Sequence, residues 1–249
     1  MDPLITRLNC KFAPMVKTLS KTVATLLCTL FISLSLQAQN DFDGKGRRHG
    51  MWEKKFQNGL TRYKGAFDHG VEVGTFVHYY PSGKVRVKTV FRGKTGVGYA
   101  YEYDEEERLI AKGLFVDRKR DSTWLYFNDI GQTIEVVNYQ EGERNGESLI
   151  LYGDGSVMET ITYVNGVKEG PYRKNYDTGK PWTKGNYKAG KYDGVFEIYD
   201  YSGKIISKGT YVNGVKHGAW YFSDKATLDK KVMYKNGYEV KPKKEEAPK

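Results

Sequence analysis

The sequence predicts an all-β protein: an elongated, twisted antiparallel meander of about eight β-hairpin repeats, each 24 residues long. Three observations carry this. Gly50, Gly74, Gly98, Gly146, Gly170, Gly194 and Gly218 recur at a spacing of 24, with Ser122 in the one remaining place. A glycine at a fixed offset marks a recurring backbone demand, either φ > 0 or close approach. Between the glycines lie paired short stretches rich in Tyr, Phe, Trp, Val, Ile and Thr, the side chains that suit a pleated surface. The breaks are turn chemistry: Ser-Gly at 82–83 and 202–203, Asp-Gly at 154–155, Thr-Gly at 178–179, and Asn-Gly at 165–166 and 213–214. An array stacks like units along a line, whereas catalysis needs unlike groups to converge. The pattern therefore reads as non-enzymatic.

Residues 1–38 stand outside the array. Lys17 and Lys21 precede an apolar run at 23–36, and Ala38 offers a small residue at its exit, the layout of a secretory signal peptide. The run is short for a membrane span, which needs about 20 apolar residues. Met15 is an alternative start. Lipid attachment at Cys28 is the competing reading, opposed by the bulky Leu27 before it and the apolar residues after it. Both cysteines, Cys10 and Cys28, fall in the leader, so the mature chain has no thiol for a disulfide or a metal. Removing residues 1–38 lowers the formal charge from +10 to +7. That mild basicity, with export to the periplasm or the cell exterior, argues against nucleic acid.

Residues 39–45 form a short lead-in and residues 46–237 the array. Counting from the anchor glycine, offset 2 reads Trp52, Phe76, Ala100, Trp124, Ser148, Tyr172, Phe196 and Trp220. Offset 17 is aromatic in seven units, from Phe67 to Tyr211, and offset 15 holds Gly65, Gly113, Gly185 and Gly209. Offsets 2 and 17 are expected to face each other across each hairpin, with the offset-15 glycine leaving room for a neighbouring ring. About 16 strands at roughly 4.8 Å would make a long sheet that twists. Residues 238–249 are charged, contain Pro242 and Pro248, and read as a disordered tail.

The pattern Gly-x-x-x-Gly-x-Trp-x-x-x-Tyr-x-x-Gly-Lys followed by Gly-x-Tyr-x-x-Gly, clearest over residues 165–222, resembles the MORN-repeat variant of many bacterial proteins. The resemblance covers roughly residues 44–237. It implies the hairpin-array fold, and a scaffold that contacts proteins or membrane lipids. Related proteins are often labelled antitoxins of toxin–antitoxin pairs, a role that the export leader fits poorly. Ala100, Ser148 and Ser122 depart from the pattern, and the eighth unit loses it after Trp220, as a terminal cap would.

Other motifs fail on inspection. Gly93-Lys94-Thr95 lacks the upstream glycine of a phosphate loop, because residue 88 is lysine. Asp41 to Gly46 begins like a calcium loop but has Trp52 at its twelfth position. His49 and His217 share a loop offset seven units apart, too far to share a metal. No catalytic, metal or cofactor set emerges.

Departures from the repeat carry the functional signal. Offsets 3, 5 and 12, assigned to the face opposite the rings, turn apolar in units three to five: Tyr101, Tyr103, Ile110, Leu125, Phe127, Ile134, Leu149, Leu151 and Met158. Such a patch needs a cover, either the coiled sheet itself, the favoured expectation, or a docked protein or acyl chain. Basic rows flank it, with Lys64, Lys88, Lys112, Lys184 and Lys208 at offset 14, and Arg48, Arg120, Arg144, Lys168 and Lys216 two residues before the anchor. They suit anionic lipid headgroups or a glycan, or serve solubility and edge protection. The leading expectation is an exported, non-catalytic scaffold for a protein partner. The alternatives are an envelope module for anionic lipid or glycan, and an antitoxin-like partner of a toxin.

Overall fold

The computed structural model describes residues 40–224 and 227–240. The leader, its cleavage point, Cys10, Cys28 and the tail beyond residue 240 lie outside the described residues. The strands are β1 (Asp41–Phe42), β2 (Arg48–Lys55), β3 (Thr61–Asp68), β4 (Val71–Tyr79), β5 (Val85–Phe91), β6 (Val97–Tyr103), β7 (Leu109–Val116), β8 (Lys119–Phe127), β9 (Thr133–Gln140), β10 (Glu143–Leu151), β11 (Val157–Val164), β12 (Val167–Asn175), β13 (Pro181–Lys188), β14 (Lys191–Tyr192), β15 (Gly194–Tyr199), β16 (Ile205–Val212), β17 (Val215–Asp224), β18 (Thr227–Lys235) and β19 (Tyr238–Glu239). Sequence neighbours pair antiparallel from one end to the other, as in β2·β3, β3·β4 and β17·β18. Among the described residues there is no helix. Strands β14 and β15 are two pieces that both pair with β13. Tyr238 and Glu239, read from the sequence as tail, add β19 to β18.

The anchor column has the predicted backbone demand. Gly170 has φ +85°, and Ser122 keeps the same left-handed conformation at +57° although it is not glycine. Gly98 is the exception, and its reason is space: a Cβ there would stand 2.6 Å from Thr89 Cγ2. The preceding hairpin, β5·β6, is also one with no register shift. Before the other anchors from Gly74 on, the loop is a two-residue turn with both φ positive, such as Asn165 (+47°) and Gly166 (+77°), the type I′ geometry whose twist matches the strands. Asp117 (+48°) and Arg118 (+64°) adopt it without glycine.

Each loop is built on the one before it. The N–H of Gly70 donates to the carbonyl of Arg48 at 2.7 Å, and Gly142, Gly166, Gly190 and Gly237 repeat that bond to Arg120, Arg144, Lys168 and Lys216. The residue before the anchor supplies a second bond, to a turn N–H 20 positions later: Asn145 Oδ1 accepts from Asn165 at 3.2 Å, Glu169 Oε2 from Ala189 at 2.8 Å and Asp193 Oδ2 from Asn213 at 3.1 Å. At the opposite end of the hairpins, the hydroxyls of Tyr80, Tyr152 and Tyr176 each donate at 2.8 Å to a carbonyl 23 residues on.

Register corrects one expectation. Offset 2 stands opposite offset 15, as Trp52 opposite Gly65 and Phe196 opposite Gly209, while the anchor stands opposite offset 17. The rings therefore meet diagonally: Trp52 and Phe67 are 6.0 Å apart, Phe196 and Tyr211 5.0 Å, both edge to face. The offset-15 glycines do make room, each for the ring of the following unit. A Cβ at Gly65 would lie 2.0 Å from Phe76, and one at Gly113 2.4 Å from Trp124. Where the following unit lacks its ring, the glycine is replaced by something larger, giving the pairs Thr89 with Ala100 and Val137 with Ser148. All four are buried, so bulk lost on one strand is restored on its neighbour, as close packing requires. Most of the core lies on this face, where Phe67, Phe76, Trp124, Ile161, Tyr187 and Trp220 are all buried, while Tyr199 is buried beneath Lys184 on the other.

Candidate functional site

Each hairpin carries a bulge beside its offset-9 turn. Lys54 pairs with Tyr63 and Lys55 with Thr61, so Arg62 has no opposite, and the same shift in β4·β5 leaves Arg86 without one. Bulges re-aim the extra side chain, and here both arginines line a groove of about 720 Å³ over the first units of the array. Its floor is aromatic. Phe76 stacks on Tyr63 at 5.5 Å, and the imidazole of His78 lies 5.3 Å from Phe76 and 5.7 Å from Tyr63. Arg118 closes one end: its Nη2 meets Glu72 Oε1 at 2.9 Å, from 46 residues away. Asp117 beside it donates its N–H to the carbonyl of Gly96 at 3.0 Å, which seats the fourth unit's turn on the third's.

The electrostatics are cationic. Burial, first, and then the charges of Arg86, Arg62 and Arg118 hold His78 below its ordinary imidazole pKa, with Glu72 opposing. Among the described residues, Arg62, Arg86 and Lys54 have no salt bridge, while Glu72 is matched to Arg118. An anionic group in the groove would meet the guanidinium donors of Arg62, Arg86 and Arg118, which are exposed, so these charge-assisted contacts are made beside solvent and are screened by salt.

Along the ring face the loop cations lie over the rings. Arg120 donates from Nη2 to both carboxylate oxygens of Glu102, at 3.0 and 2.9 Å, and its guanidinium lies 4.5 Å above Trp124. The other loop cations do the same: Arg48 over Trp52 and Phe67, Arg144 over Tyr163, Lys168 over Tyr187 and Lys216 over Trp220. These five were expected to form a basic row along the loops. They fold onto the rings because the bulged turn directs that offset to the ring face. The lysine row on the opposite face is also engaged. Lys64, Lys112 and Lys184 lie over Tyr79, Phe127 and Tyr199 at 5.6, 5.3 and 5.3 Å, and Lys208 meets Glu197 at 2.8 Å. Lys88 stands opposite Val77 and Tyr101 in the same row.

The apolar strip of units three to five is a true row: Tyr101 opposite Lys112, Lys112 opposite Leu125, Leu125 opposite Val136, Val136 opposite Leu149. The expectation that the sheet coils over and buries it is not met. None of the nine residues is buried; Ile134 is exposed and Tyr101, Tyr103, Ile110, Leu125, Phe127, Leu149, Leu151 and Met158 are half-buried. Ile110, Ile134 and Met158 are bulge residues, like Arg62, so they leave the simple alternation that assigned them to this face.

Comparison with known proteins agrees with this repeat. The family model described as MORN repeat variant matches residues 72–92, 168–189 and 192–213, each span one hairpin of the array. The chain carries MORN-variant repeats. MORN repeats are binding modules, in general for proteins or lipids. No curated protein matches the chain. Among solved structures, the chain is similar to a mutant of TarM from S. aureus, in complex with Fondaparinux, alpha-GlcNAc-glycerol and UDP, at 14 % identity over 58 % of this chain and 23 % of that one, TM-score 0.26. A second TarM structure gives 15 % identity over 59 % and 25 %, TM-score 0.25. The chain thus spans about a quarter of the length of these proteins.

Proposed function

We propose that the chain is an exported, non-catalytic scaffold that binds a protein partner, with an acidic segment of that partner lying in the ring-face groove. The observation that supports this is that Arg62, Arg86 and Arg118 all bear electrostatically on His78 in a groove that Phe76 and Tyr63 also line, with Glu72 as the one carboxylate among its lining residues. Such a site favours an anion and excludes cations by the same charges. The test is capture from the envelope fraction by the mature protein at rising salt. Capture should weaken with ionic strength, and Arg62→Glu with Arg86→Glu should abolish it without lowering Tm. Capture indifferent to both salt and charge reversal would refute the reading.

A second reading rests on the half-exposed apolar strip. Docking there would survive high salt and be lost in Leu149→Asp. An anionic lipid or glycan in place of a protein would show as salt-sensitive binding to anionic vesicles or to a sulfated polysaccharide, with no protein captured.

A further inference from the structure

His49, Asp68 and His69 come together where the first two loops of the array stack. One ligand atom from each lies within 4.8 Å of the other two. The His49 and His69 rings are 4.8 Å apart, His69 Nδ1 is hydrogen-bonded to Asp68 Oδ1, and His49 Nδ1 is 3.7 Å from that same oxygen. Lys94 holds the other carboxylate oxygen, Oδ2, at 2.5 Å, which leaves Oδ1 facing the two imidazoles. Both rings are about half exposed.

The repeat shows what is unusual here. In the fifth unit and its successor the same two loop positions are Asn145 and Asn165, joined by a 3.2 Å bond from the Asn165 N–H to Asn145 Oδ1. His49 and His69 keep a 3.4 Å version of that bond, N–H to Nδ1. Loop stacking therefore does not require imidazoles, yet two of the four histidines in the chain occupy this one pair of positions beside a carboxylate.

We propose that His49, Asp68 and His69 form a surface site for one borderline divalent transition-metal ion of the zinc or nickel class, held by two imidazole nitrogens and Asp68 Oδ1 with remaining positions open to water or a partner's side chain. Imidazole and carboxylate are the donors such ions take. A tetrahedral ion about 2.0–2.1 Å from each donor needs donors roughly 3.4 Å apart, so the exposed rings close on the carboxylate by modest rotation. His49 gives up its long bond to the His69 N–H or ligates through Nε2. The Lys94 ammonium stays on Oδ2 and orients the carboxylate, while its charge keeps affinity moderate.

The experiment is calorimetric titration of the full chain with Zn²⁺, and separately with Ni²⁺, alongside thermal melts with and without the ion. One ion per chain and a rise in Tm are expected. His49→Asn and His69→Asn install residues that the array already uses at these positions, so the fold is kept; each should weaken binding at least tenfold and remove the Tm rise. His217→Asn, the same offset in the last unit, should change neither. No stoichiometric binding by the wild-type chain, binding unchanged in His69→Asn, or equal loss in His217→Asn would each overturn the proposal.

Discussion

Gly209 lies beneath the indole of Trp220. A Cβ built at 209 would stand 2.2 Å from Trp220 Cδ2, closer than any real contact, so the small residue on one strand and the large one on the next form a single packing unit. The indole is 1 % exposed and its Nε1 donates to the Thr210 carbonyl at 3.0 Å, which fixes the ring over the glycine.

Gly209→Ala should cost about 1–3 kcal/mol by overpacking, read as a fall in Tm. Gly44→Ala, where a Cβ would meet nothing within 4 Å, should leave Tm where it is. The double change Gly209→Val with Trp220→Ser copies Val137 with Ser148 and should be less damaging than the two singles added together. Strict additivity would break the pairing argument.

Ser122→Gly should stabilise the chain by up to about 1 kcal/mol, because φ +57° strains any residue with a Cβ. Gly170→Val should destabilise it for the same reason by about 1–3 kcal/mol, since the nearest atom to a new Cβ there is 3.9 Å away and space is not the obstacle. Denaturant midpoints of the two variants moving in the same direction would refute the backbone account.

His78 is kept neutral by burial and by Arg86, Arg62 and Arg118, so its folded pKa lies below its ordinary 6.5. The unfolded chain then takes up a proton first as pH falls. The stability contributed is full above pH 6.5 and declines as pH drops through 6.5 towards the folded value. Tm should fall from pH 7 to pH 5.5, and His78→Phe should flatten that slope. An anion bound in the groove would raise this pKa, so affinity for an acidic segment should increase over the same interval; affinity that falls there would contradict the proposed site.

Arg120→Met leaves the Glu102 carboxylate, 19 % exposed, without its partner and should cost about 3 kcal/mol. Arg120→Met with Glu102→Met should recover most of that loss in thermal melts. Equal Tm for single and double variants would mean that the loss comes from the ring contact with Trp124 and not from the stranded charge.

The hairpin array was legible because its signals are local. A glycine column needs only its own φ or its own neighbour, as Gly170 and Gly65 show, and the matched spans 72–92, 168–189 and 192–213 rest on the same columns. The groove was not legible. Arg62 and Arg86 reach it through bulges that strict alternation cannot foresee, and the pairing of Arg118 with Glu72 spans 46 residues across the irregular third unit. His49 was matched with His217 by offset, although its partner in space is His69, 20 residues on. The recurring bond from the residue before the anchor to the turn 20 positions later was the signal that would have found it.

The pairing of platform and ring also says where this array can be cut and spliced. A glycine such as Gly209 and the ring it accommodates at Trp220 lie on either side of the anchor, so a block excised from anchor to anchor separates them and strands each with a stranger. A block running from one offset-9 turn to the next, such as residues 132–155, carries Val137 and Ser148 together and ends in exposed loops at Gly131 and Gly155. Lineages or engineers that lengthen the array by whole blocks should therefore find their viable junctions at those turns, and the unit of inheritance is offset by half a repeat from the unit that the glycines announce.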